Sequence, residues 1–101
     1  MSSKPINIED LYSDAVNLLK ELIAIPSFSQ EEDNTASCLE RFFSKKNIAT
    51  KRYLNNVWAT NKYFDNSKPT ILLNSHHDTV KPNKGYTLNP FEPIEKDGKL
   101  Y

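Results

Sequence analysis

The chain has 101 residues, in which thirteen Lys and Arg balance thirteen Asp and Glu. This lacks the one-sided charge of a nucleic-acid or polyanion binder. The length admits one modest domain, since a chain of this size buries roughly 60 to 68% of the surface of its unfolded form. The single cysteine, Cys38, has no disulfide partner. The N-terminus carries no apolar signal core, and no apolar run approaches the ~20 residues that cross a bilayer. The expectation is a cytoplasmic protein with no membrane and no nucleic-acid partner.

Residues 1–6 read as a loose leader, after which Asn7 can cap a helix over residues 8–24 whose first turn carries Glu9 and Asp10; acids there suit the positive end of the helix dipole. Leu11, Ala15, Leu18, Leu22 and Ile25 recur at helical spacing, with Val16, Leu19 and Ile23 widening the stripe. Pro26 ends the helix by pushing the preceding residue out of the α region. Ser29 followed by Glu32 has the form of a capping box and predicts a second helix through Thr35, Cys38, Leu39, Phe42 and Phe43 to about Lys46.

Residues 48–53 alternate loosely, Asn55-Asn56 can turn, and residues 57–61 can return as the second arm of a hairpin. Residues 65–69, Asp-Asn-Ser-Lys-Pro, predict a surface loop. Thr70 to Asn74 differs, because Ile71, Leu72 and Leu73 are apolar in succession, the pattern of a strand buried on both faces. Phe91 can anchor the proline-rich stretch Asn89 to Pro93, and Asp97-Gly98 predicts a tight turn within an edge hairpin. Two helices followed by strands, one of them central, give an α/β class with a mostly parallel central sheet, and such sheets place ligands beyond their strand ends.

Chemistry concentrates in Asn74-Ser75-His76-His77-Asp78-Thr79, which holds both histidines of the chain. In extended geometry His76 and Asp78 share a side. A neutral imidazole can then give one nitrogen to zinc while its other N–H is held by the carboxylate. By itself the pattern also fits an exposed loop histidine beside a turn aspartate. His77 faces the other way and suits a packing or hydrogen-bonding role better than a second ligand. Asp97 before Gly98 is a turn residue, Cys38 a small buried side chain, and Ser27-Phe28-Ser29 a capping and packing segment with no triad around it.

Four ordered segments carry a resemblance: LLKELIAIPSFSQEED (Leu18 to Asp33), ILLNSHHDTVKP (Ile71 to Pro82), NPFEP (Asn89 to Pro93) and DGKLY (Asp97 to Tyr101). Together they resemble the beginning of the catalytic domain of the peptidase M20 family, which includes acetylornithine deacetylases and succinyl-diaminopimelate desuccinylases. The resemblance implies that residues 1–101 are an incomplete N-terminal segment of an αβα zinc-peptidase-like domain, without the lid and dimerisation domain. It matches His76 to a zinc-ligand histidine (metal) and Asp78 to the catalytic acid that holds its imidazole.

For the parent enzyme the resemblance implies two zinc ions per subunit, with cobalt as a substitute, and a homodimer that hydrolyses an N-acyl amino acid. The NSHHDTVKP form looks most like the acetylornithine deacetylase type, acting on N-acetylornithine in arginine biosynthesis. Desuccinylase and di- or tripeptidase members of the family, and a noncatalytic interaction domain, are the alternatives. One imidazole cannot hold a dinuclear centre, so the 101 residues alone are expected to be inactive, metal-free or weakly metal-binding, and prone to self-association through an open strand edge.

Overall fold

The structure, a computed structural model, describes residues 6–101, so most of the leader assigned to residues 1–6 lies outside the described residues. Helix α1 runs Ile8–Ala24 and begins where the sequence places it, with the Asn7 side chain accepting from the backbone N–H of Glu9 (2.9 Å) and of Asp10 (3.4 Å). Ile25 is extended at its end, ahead of Pro26. Helix α2 runs Asp33–Lys45, later than the capping box implies. Gln30 sits at φ 72° and Phe28 is held extended by a bridge to Thr79, so Ser29 lies in a turn rather than at a helix start. Glu32 occupies the cap position with no side-chain cap bond, and its carboxylate turns back to the Gln30 N–H (2.8 Å).

Strands β1 (Lys51–Tyr53) and β2 (Asn56–Trp58) pair antiparallel with Arg52 opposite Val57, and β3 (Glu95–Lys96) pairs with β4 (Lys99–Leu100). The second hairpin turns on Asp97 (φ 53°) and Gly98 (φ 73°), the two left-handed positions of a two-residue loop. The first turns on Leu54-Asn55, one residue earlier than expected, and so puts Leu54 at φ 56°. Asn55 is occupied elsewhere: its side chain donates to Glu32 Oε2 (3.2 Å) and accepts from Arg52 (3.1 Å). Glu32 lies outside the hairpin and Arg52 on its first strand, and between them they place the turn. The loop at residues 65–69 forms as an Asx turn. There the Ser67 hydroxyl (2.7 Å) and N–H (2.9 Å) bond Asp65 Oδ1 and hold its carboxyl below the usual range.

The mostly parallel central sheet does not form. Both sheets are two-stranded and antiparallel, and the one parallel pairing among the described residues is the isolated bridge between Phe28 and Thr79. A parallel neighbour has to arrive by a crossover of a dozen or more residues, whereas residues 51–58 close their hydrogen bonds locally as a hairpin. Thr70 to Asn74 therefore joins no ladder, and Ile71, Leu72 and Leu73 are 85%, 84% and 90% exposed. Here the apolar succession does not mean burial on two faces.

Among the described residues only Ser27, Thr35, Ala36 and Cys38 are buried. The exposed area is 9124 Å², against about 5,800 Å² for a compact folded chain of this mass. The radius of gyration is 16.2 Å, against about 13 Å. Polar contacts hold the elements together. Arg52 uses every guanidinium N–H: one on the Leu54 carbonyl (2.6 Å), two on Glu40 (2.7 Å) and Ser37 (3.1 Å), and two on Asp33 (2.6 Å) and Asn55 (3.1 Å). Asp33, Ser37 and Glu40 share one face of α2, so this side chain fastens the hairpin to the helix. Helix α1 joins α2 through Asp14 with Lys46 and through the Cys38 thiol, which donates to Glu21 (3.4 Å); it joins β3 through Lys20 with Glu95 (3.1 Å). Phe91 rests against Phe28, ring centroids 6.1 Å apart.

Three outcomes are expected. Replacing Arg52 by Ala lowers the melting temperature, and by Lys recovers only part of it, because an ammonium cannot reproduce the five-way planar fork. Replacing Leu54 by Gly relieves its left-handed backbone and raises stability by about 0.5–1 kcal/mol in denaturant titration. Burial, reinforced by Glu21, raises the Cys38 thiol pKa, so alkylation is slow in the folded protein until pH passes above the usual thiol range, and fast once the protein is unfolded. The folded state holds this proton more tightly than the unfolded chain. Its contribution to stability is therefore full below the unfolded thiol pKa and declines as pH rises toward the folded one.

Candidate metal-ligand segment

The segment from Ser75 to Thr79 runs past the N-terminal turn of α2 and the turn of the first hairpin, and its side chains alternate as an extended chain requires. His76 and Asp78 fall on one side, with His76 Nδ1 2.7 Å from Asp78 Oδ1 and 3.2 Å from the Asp78 carbonyl. Both oxygens can only accept while the aspartate is ionised, so the neutral ring carries its hydrogen on Nδ1 and presents a lone pair at Nε2. The imidazole is 84% exposed and the carboxylate 39%. The ring is thus free to meet a ligand while its orientation is fixed from behind. An open cleft of about 420 Å³ lies beside it, walled by Glu32, Asn55, Trp58, Asn74, His76 and Asp78.

His77 points the opposite way. Its Nδ1 lies 2.7 Å from Thr35 Oγ1 and its Nε2 3.0 Å from the Asn55 carbonyl, so both ring nitrogens are engaged by protein. Ser27 holds the backbone on either side of Asp78: its hydroxyl donates to the His77 carbonyl (2.8 Å), and its own carbonyl accepts from the Thr79 N–H (2.7 Å). Sequence reasoning gave Ser27 and Thr35 no part in this site. They lie 42 to 52 residues from their partners, and a small hydroxyl residue carries no sign of what it will bond at that distance.

The structure keeps the other candidates apart from this segment. Cys38 is buried against α1, and Asp97 sits in the turn of the second hairpin. Among the described residues no three His, Cys, Asp or Glu side chains come together in a way that could hold a metal ion. As a donor set, the described residues therefore fit one corner of a zinc site: a single imidazole nitrogen backed by a carboxylate.

No protein-family model matches the chain. Among curated proteins it is similar to the succinyl-diaminopimelate desuccinylases of Nitratiruptor sp. (26% identical over 90 residues, covering 87% of this chain and 24% of that protein) and of Delftia acidovorans (26% over 99 residues, 88% and 26%). It is also similar to that of Xanthomonas oryzae pv. oryzae (28% over 95 residues, 88% and 24%). The chain spans about a quarter of the length of the curated relatives it matches. This distant homology supports a place for the chain in the peptidase M20 family in general, and does not support a specific identity as acetylornithine deacetylase.

Proposed function

We propose that the protein carrying this chain is a zinc-dependent amidohydrolase that removes the acyl group from an N-acyl amino acid. The observation that carries the reading is the His76–Asp78 pair, with Nδ1 tied to a carboxylate at 2.7 Å on an imidazole that is 84% exposed and borders the cleft. His76 is the metal ligand in this reading. Asp78 fixes its tautomer, aims Nε2 outward and raises its basicity. When bound, a zinc centre would supply an activated water and polarise the scissile carbonyl.

One imidazole does not make such a centre, so the activity belongs to a protein that supplies further donors, and the 101 residues by themselves are inactive. The relatives' names favour a succinylated diamino acid over N-acetylornithine as the substrate, and that replaces the arginine-biosynthesis reading of the NSHHDTVKP motif.

The test uses the full-length protein that carries this sequence, loaded with zinc and offered N-succinyl-diaminopimelate, N-acetylornithine and a dipeptide in parallel. Hydrolysis of the succinyl substrate, abolished by chelator and restored by zinc, is the expected result. Replacing Asp78 by Asn should weaken zinc binding by about 10- to 100-fold, and replacing His76 by Ala should weaken it further. Zinc-loaded protein that cleaves no N-acyl amino acid overturns the proposal.

A further inference from the structure

We infer that Thr35 and His77 are positioning residues for the His76–Asp78 pair: α2 and the first hairpin clamp the His77 ring, and the clamp sets the pose of the imidazole next to it. The inference rests on the proposed ligand role of His76. Upstream of the pair the chain has no support, since Thr70 to Asn74 joins no ladder and Ile71, Leu72, Leu73, Asn74 and Ser75 are all exposed. What fixes His76 in space must therefore come from residues 77–79.

The hold on those residues is dense and part-buried. The Asn55 carbonyl only accepts, so His77 Nε2 bears the hydrogen of that 3.0 Å contact, while the Thr35 hydroxyl lies 2.7 Å from Nδ1 and 3.0 Å from the Glu32 carbonyl, its single hydrogen lying between these two acceptors when the ring is neutral. Thr35 belongs to the first turn of α2 and Asn55 to the hairpin turn, so the ring is gripped from two elements at once. Ser27 adds the two backbone contacts described above. Thr35 and Ser27, at 0% and 1% exposure, are the buried polar residues among those described. Both act on this segment, on the His77 side and away from the exposed His76 ring. Because successive side chains face opposite ways, fixing the ring of His77 on the buried side fixes the direction in which His76 projects on the open side.

Removing the Thr35 hydroxyl unpairs Nδ1, and takes one contact from the Glu32 carbonyl at the start of α2, without touching His76 or Asp78. In the full-length protein, Thr35→Val is expected to speed amide hydrogen exchange across residues 75–80 and to weaken zinc binding, measured by competition with a chromophoric chelator, about tenfold. Thr35→Ser, which keeps the hydroxyl, restores both. If Thr35→Val unfolds, His77→Gln breaks the same contact from the other side and carries the same expectation. Unchanged exchange and zinc affinity in the Val variant overturns the inference, as does an equal loss in the Ser variant, which would mark a role in packing alone. His76→Ala separates the two readings. If it binds zinc like the unsubstituted protein, the ligand role fails, and the clamp itself is then upheld or overturned by whether exchange over residues 75–80 responds to Thr35.

Discussion

The guanidinium of Arg52 is the joint on which the arrangement of α2, the first hairpin and the histidine segment depends. Each of its five N–H groups has an acceptor, three of them on one face of α2 and two in the hairpin turn. Two carboxylates, Glu40 foremost, raise its pKa, so the charge is present at any ordinary pH. With so few buried residues, apolar burial cannot be what orients these elements. Geometry comes instead from a rigid planar fork, which demands acceptors in fixed directions and so fixes the gap between helix and hairpin.

That gap is where His77 sits. Its ring spans from Thr35 on the helix to the Asn55 carbonyl on the hairpin, and Asn55 also bonds Arg52 and Glu32. The fork, the hairpin turn and the histidine thus form one connected polar network, in which each member orients the next. The strained position at Leu54 is a consequence: the turn is placed by what Asn55 must reach, and the residue before it takes a left-handed backbone that Asn or Gly would adopt more easily. Chemistry on the open side of the segment is therefore backed by a structural device on the closed side.

Away from this network the chain is open. The apolar residues of α1 at Leu11 and Leu19 are about half exposed, and Ile71 to Leu73 lie almost bare. Contiguous apolar exposure of this kind marks an interaction surface or an aggregation liability.

Sequence by itself determined what depends on neighbours in the chain. Asn7 capping α1, the stop at Pro26, the Asp97-Gly98 turn, the Asx turn at Asp65 and the pairing of His76 with Asp78 each need contacts only a few residues apart, and the residue types dictate them. Tertiary structure decided the rest. The start of α2 moved past Ser29 because Phe28 bridges Thr79, and the first hairpin shifted its turn because Asn55 answers to Glu32, Arg52 and His77. The run Ile71 to Leu73 joins no sheet, and β1 and β2 pair with each other. Thr79 lies far from Phe28, as Glu32 and His77 do from Asn55, and a pattern of residue types carries no record of which distant group will satisfy a given hydrogen bond.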